Sequence, residues 1–405
     1  MDNKSKNIFF ITFGTLIVVI FGLVMFHELK HGDFPAHIAF AREFAANGYL
    51  YKIPHTLFAR FVVIIRALLP ANIAVWVSPY AKQVFDIKSF EISTVILMTL
   101  TYLASAFVIM KRLLRDWDLK EKPLYCFAGF ITIVILMAAP IFFFTFPDRM
   151  FLGYIMGNRY DSPTYILSKP FVLLVFLGIV DNLMSKWDWK QALFMVLAIL
   201  CATLAKPSFT ITIIPALGIL LILNIKKLKS VNWFYLIGPS GLTAFLVLLS
   251  QFIINYVGAR GDRVIFAPFQ SILIQVPNLF LLSLLILMSI VFPLLVTILH
   301  WKNIKNDLGF QLAWINFIIA AIYGLVFAEE INMGVNNFWN SPMIGVFVLF
   351  FVTIAYWGKD LIENIRSNRK LSGRQIVTSC VLGLHFICGI IYYVATLLNT
   401  GVIVN

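Results

Sequence analysis

Apolar residues along this chain gather into long runs, at roughly 8–26, 91–110, 124–146, 168–184, 189–205, 208–225, 232–256, 277–300, 309–328, 340–357 and 376–399. Each approaches the roughly twenty residues that an α-helix needs to cross a bilayer core. The pattern predicts an all-α, polytopic integral membrane protein with about eleven transmembrane helices. The first run has no small-residue cleavage site after it, so it reads as a retained span and not as a signal peptide.

A further apolar stretch, 54–69, carries Arg60 and Arg66 and is shorter. The basic loops decide whether it crosses. If it does not, and the N-terminus is cytoplasmic, the cytoplasmic loops collect Lys4/Lys6, the basic residues of 111–122, Lys186/Lys190, Lys226-Lys227-x-Lys229, Lys302/Lys305 and those of 359–374. These hold 19 of the 32 Lys and Arg residues, as the positive-inside rule requires. Letting 54–69 cross would turn every later basic loop outward.

The expected topology therefore has a long first external loop, 27–90. Within it, 34–46 reads as one interfacial amphipathic helix, with Asp33 at the N-cap, Pro35 in the first turn and Asn47-Gly48 as the stop. The 54–69 stretch reads as a second, its arginines snorkelling toward head groups. Neither repeats nor a soluble domain interrupt the pattern, so 1–405 is read as a single transmembrane domain.

Composition agrees and narrows the classes. With 60% hydrophobic and 13% charged residues and a mean hydropathy of +0.90, too little polar surface exists for a soluble protein. The net charge of +13 is accounted for by topology, and no nucleic-acid partner is implied. Cys126, Cys201, Cys380 and Cys388 lie in apolar segments without a C-x-x-C pair, which indicates neither a disulfide framework nor a thiolate metal site.

On this topology the polar clusters face outward. They are Asp33/His37, Tyr51 and His55, Gly157-Asn158-Arg159-Tyr160-Asp161, Lys169-Pro170, Lys206-Pro207-Ser208, Arg260 to Arg263, and Glu329-Glu330 with Asn336 to Asn340. Lys206 stands between two apolar runs, where a charge calls for an anionic partner and where Pro207 frees backbone donors. It reads either as a phosphate ligand or as a snorkelling lysine. Arg159 and Arg260 carry the guanidinium fork that suits phosphate oxygens. Asn337 and Trp339 combine amides with an aromatic face, a mix that fits a sugar ring or a membrane-belt anchor.

His27-Glu28-Leu29-Lys30-His31 has the zinc metalloprotease spacing H-E-x-x-H. That chemistry needs a third protein ligand, and none follows at metzincin spacing.

Gly32-Asp33-Phe34-Pro35-Ala36-His37, directly after the first span, resembles the start of the first external loop in the GT-C superfamily of polytopic membrane glycosyltransferases. Tyr51-x-x-Pro54-His55 and Asp161-Ser-Pro-Thr164 add to the resemblance, which covers the architecture from Asn7 to about Leu398. It departs from larger members in having no C-terminal external domain. The resemblance implies transfer of a sugar from a polyprenyl-phosphate-linked donor to a hydroxyl of a glycan, lipid or protein acceptor. This would occur at the external or periplasmic face of the plasma (inner) membrane.

Asp33 would be the general base. His37, Tyr51, His55, Arg159, Asp161, Lys206, Arg260, Glu329, Asn337 and Trp339 would bind substrate, with Glu329 also a second candidate carboxylate. No metal ligands are assigned, and dependence on a divalent metal ion stays open. The competing readings are a polytopic transporter or lipid flippase, an envelope enzyme acylating hydroxyls, and the zinc metalloprotease.

Overall fold

A backbone surrounded by lipid has no partner for its polar groups but itself, and apolar runs of this length therefore fold as helices. The structure, a computed structural model, describes residues 3–48, 56–69, 79–119, 121–145, 150–184, 187–225, 233–253, 263–331, 333–335 and 337–398. In chain order its main helices are α1 (Asn3–Glu28), α2 (Phe34–Asn47), α3 (Thr56–Leu68), α4 (Pro79–Asp116), α5 (Lys122–Met137) and α6 (Pro163–Met184). There follow α7 (Trp189–Ala205), α8 (Ser208–Asn224), α9 (Trp233–Phe252), α10 (Leu279–Leu299), α11 (Leu308–Val326), α12 (Asn340–Arg366) and α13 (Gly373–Leu397).

All eleven apolar runs contain a helix. Among the described residues, eight helices are long and apolar enough to cross a membrane, and α5, α7 and α8 are shorter. The protein is thus an α-helical, multi-pass membrane protein. At 17 residues each, α7 and α8 reach about 25 Å. They are joined directly through Lys206 and Pro207.

The run expected over 124–146 stops at Met137. Pro140 lacks an N–H and restricts the residue before it, so the chain turns extended, and its polar groups are met by other helices. Ala139 N–H donates to His385 O at 3.1 Å, His385 Nδ1 lies 2.6 Å from Ala139 O, and Ile141 N–H donates to Met288 O. The helix α13 can come this close because of Gly389, where a Cβ would stand 1.9 Å from Met137 O. Tyr393, also on α13, donates to Ile20 O of α1 at 2.7 Å, which makes the first and last helices neighbours.

The expected pair of short helices exists as α2 and α3, and α2 ends as predicted. Gly48 takes φ 74° and its N–H caps Phe44 O. Both helices lie against α4, burying Phe34, Ile38 and Ala41 from one and Phe58, Ala59 and Val62 from the other. The arginines are less free than snorkelling requires. Arg66 donates to Ser89 Oγ at 2.9 Å and sits 4.5 Å over the Phe90 ring, while Arg60 lies 5.9 Å over Phe44. A second departure from the all-helical expectation is a small antiparallel ribbon of β1 (Val264–Phe266) and β2 (Phe327–Glu329), paired Val264 with Glu329 and Phe266 with Phe327.

Lys169 does not lie in an outer polar cluster. It is 0% exposed on α6, with its ammonium 4.9 Å from the Phe347 ring centre and 5.4 to 5.6 Å from those of Tyr165 and Tyr102. Nζ donates to Asn158 Oδ1 at 2.9 Å, and Asn158 Nδ2 donates onward to Ile135 O and Ala138 O. These carbonyls belong to the end of α5, where they lack helical partners and carry the negative end of the dipole. The buried cation is compensated by a helix terminus and three aromatic faces. Lys169→Met keeps the apolar stem but leaves Asn158 Oδ1 unmet, and should destabilise the protein by about 1–3 kcal/mol. A thermal unfolding midpoint in detergent equal to wild type would refute the assigned role.

Candidate functional site

The site is organised by the turn that follows α1. Gly32 adopts φ +53°, and a Cβ there would stand 2.6 Å from both Cβ and the carbonyl oxygen of Asp161. Only glycine accepts both that backbone region and that approach. The next residue profits from it: Asp33 N–H donates to Asp161 O at 2.9 Å. Asp33 O accepts from His37 N–H at 3.1 Å and lies 2.8 Å from His37 Nδ1.

Asp33 occupies the N-cap position of α2 as expected, yet its side chain makes no capping hydrogen bond. Its carboxylate instead borders a cavity of about 70 Å³ with Phe151, Tyr154, Arg159, Lys206, Gln275, Asn337, Trp339, Asn340 and Met343. Among the described residues no hydrogen bond or ion pair engages that carboxylate.

Lys206 reaches the same cavity from the break between α7 and α8. The break is held by Thr203 Oγ1 and Thr210 Oγ1, 2.8 Å apart across it, and by Gln251 Nε2, which donates to Thr203 O. Among the described residues Nζ has no hydrogen-bond or ion-pair partner. Burial pulls its pKa down to about 8, assisted by the Arg159 charge and opposed by Asp33, Asp161 and Glu329. Part of the remaining wall is amide and indole. Trp339 Nε1 donates to Tyr154 O, and Asn340 Nδ2 donates to Asn337 O.

Several residues expected to touch substrate have other occupations. Arg159, 3% exposed, is spent on Asp161: Nε and Nη2 donate to Oδ1 and Oδ2, each at 2.7 Å. Burial alone would lower the Arg159 pKa, but the Asp161 carboxylate outweighs it and raises it. Asp161 is thereby committed as well. Glu329 accepts from Asn337 Nδ2 at 2.7 Å. His37 is buried beneath Asp33 and not on the cavity wall, and burial lowers its pKa. Tyr51, His55 and Arg260 fall outside the described residues.

The H-E-x-x-H spacing gains nothing from the fold. The His27 and His31 rings stack with centres 5.0 Å apart, and Glu28 is turned inward at 6% exposed. Among the described residues no three His, Cys, Asp or Glu side chains are grouped to hold a metal.

Asn340, one of the amides read beside Trp339 as suited to a sugar ring, lines the cavity, and so does Gln275, which the sequence did not single out. Gln275 precedes an apolar run without any pattern to mark it, and Asn340 was one amide of a longer polar string. Set against family models and curated proteins, the chain matches none.

Proposed function

We propose that this protein is a membrane glycosyltransferase of the GT-C kind, with about eleven spans and its cavity on the external side. It moves a sugar from a polyprenyl-phosphate-linked donor to an acceptor hydroxyl. One observation carries the reading: a carboxylate, Asp33, and an ammonium, Lys206, neither of them engaged by any other described residue, border one small polar cavity. Asp33 is exposed, but Lys206 is desolvated by burial, and a desolvated charge without a partner is costly unless a ligand completes it.

Asp33 takes the proton of the acceptor hydroxyl as its oxygen forms the new bond to the anomeric carbon. The bond from that carbon to the phosphate oxygen breaks, and polyprenyl phosphate leaves with the electron pair. Lys206 faces the negative charge that gathers on the departing phosphate. Trp339 offers an aromatic face, and Asn337, Asn340 and Gln275 offer amides, to the hydroxyl groups of the sugar.

The test is release of free polyprenyl phosphate when purified protein meets a panel of polyprenyl-phosphate-linked pentoses and hexoses with acceptor membranes. No release from any donor would overturn the reading. Lys206→Gln should weaken polyprenyl phosphate binding about tenfold or more, as loss of a charge-assisted contact implies. The sign of the pH effect follows from the amine. Near pH 7 Lys206 is largely protonated and its contribution to affinity is at nearly full value. Above about 8 the ammonium is lost, and affinity should fall toward the level of Lys206→Gln. An affinity independent of pH from 7 to 10 would remove Lys206 from the phosphate.

A further inference from the structure

The segment 157–162, between the described residues that follow 149 and helix α6, is tied to a different element at nearly every residue. Asn158 is bound to the end of α5. Tyr160 N–H donates to Tyr392 Oη of α13 at 3.3 Å, and the two rings stack with centres 4.9 Å apart. Asp161 O receives Asp33 N–H at the head of α2. Arg159 Nη1 lies 3.4 Å from Asn340 Oδ1 at the head of α12. Two residues of the cavity wall, Asp33 and Asn340, are therefore referenced to residues two apart on one loop, Asp161 and Arg159, and the bidentate Arg159–Asp161 pair keeps that loop in shape.

We propose that Arg159 and Asp161 are positioning residues, which set Asp33 against Asn340 across the cavity and do not bind the phosphate. Three features carry this. The guanidinium donates side-on, through Nε and Nη2, to both oxygens of one carboxylate, and its remaining nitrogen, Nη1, is directed to Asn340 Oδ1 and not to a second charge. The two charges neutralise each other, whereas Lys206 in the same cavity has no hydrogen-bond or ion-pair partner among the described residues. The contact of Asp161 with Gly32 and Asp33 is through its backbone, so any change in the Arg159–Asp161 pair is transmitted to Asp33 as displacement. Removing one member would also leave the other buried and unpaired, which is why the pair acts as a unit.

The inference rests on the proposed role of Asp33 for its importance, but its test reads the geometry and the phosphate affinity directly. Full-length protein in lipid nanodiscs is probed with farnesyl phosphate. Affinity is followed by tryptophan fluorescence, and the rate at which a water-soluble carbodiimide labels Asp33 is followed by peptide mass spectrometry. Arg159→Lys and Asp161→Asn should each change the Asp33 labelling rate at least threefold and leave farnesyl phosphate affinity within twofold of wild type. The exchanged pair Arg159→Asp with Asp161→Arg should move the labelling rate back toward wild type, which a ligand role would not produce. Lys206→Gln should weaken the probe about tenfold, which separates the phosphate ligand from the positioning pair.

A loss of affinity in Arg159→Lys equal to that in Lys206→Gln makes Arg159 a ligand and overturns the proposal. So does an unchanged labelling rate. Should Arg159→Lys fail to fold, Gly32→Ala presses on the same contact from the other side, and the same labelling change is required of it. Absence of farnesyl phosphate binding in wild type would count against the phosphate-carrier reading alone, since the labelling results still decide the positioning role.

Discussion

Asp33→Asn should lower sugar transfer from a polyprenyl-phosphate-linked donor by about 10²- to 10⁴-fold, the range that a general base contributes. The substitution is unusually clean. Asparagine is as good an N-cap as aspartate, and the side chain makes no capping bond in any case. The contacts that seat the residue, to Asp161 O and from His37, use backbone atoms of Asp33 and survive the change. The thermal unfolding midpoint should therefore stay near wild type. Binding of polyprenyl phosphate through Lys206 should persist. Transfer at an undiminished rate by folded Asp33→Asn protein would falsify the base assignment, and it would send attention to Glu329, although that carboxylate is already bonded to Asn337.

The second large effect is expected at a residue with no side chain. Gly32→Ala places a methyl group 2.6 Å from a backbone oxygen and from Asp161 Cβ, in a backbone region that costs an L-residue about 1–2 kcal/mol. Neither contact is with the flexible end of a side chain, so the turn has to move. Displacing Asp33 by about 1 Å is enough to cost on the order of 10²-fold in rate. Gly32→Ala should thus lose activity about as severely as a direct hit on the site, together with a lowered thermal midpoint. Gly48 supplies the control, since it shares a positive φ of 74° but has open space around the added Cβ. Gly48→Ala should show the backbone cost in its thermal midpoint with transfer intact. Equal activities in the two alanine variants would mean that the Gly32 turn relaxes without moving Asp33.

What could be read from the sequence was what local periodicity controls. Every apolar run is helical, Gly48 ends α2, and Pro207 separates α7 from α8, because each depends on residues close in the chain. The early end of α5 was hidden. Pro140 sits in a run whose hydropathy gives no sign of a break, and the partners that make the extended stretch tolerable, Met288 and His385, come from far along the chain.

The candidate site divides in the same way. Asp33 and Lys206 stood out through their settings, one after a span and one between two. Arg159 and Asp161 were visible as charges, but only the folded loop turns them toward each other and away from a ligand. Gln275 had no signal at all, being one polar residue before a helix. The buried Lys169 was misassigned to an outer cluster because its compensation, the end of α5 reached through Asn158, does not exist until tertiary structure forms.

The neighbouring of α1 and α13, joined by Tyr393 and Ile20 and reinforced where Tyr392 stacks on Tyr160, has a consequence for biogenesis. In a chain emerging from the ribosome α1 is made long before α13, and domains assemble as their parts become available. The loop that references Asp33 lacks one of its supports until α13 has been inserted. The cavity is thus completed only once α13 has been made, and a ribosome-bound intermediate halted before α13 should carry all the residues of its wall without yet holding them in register.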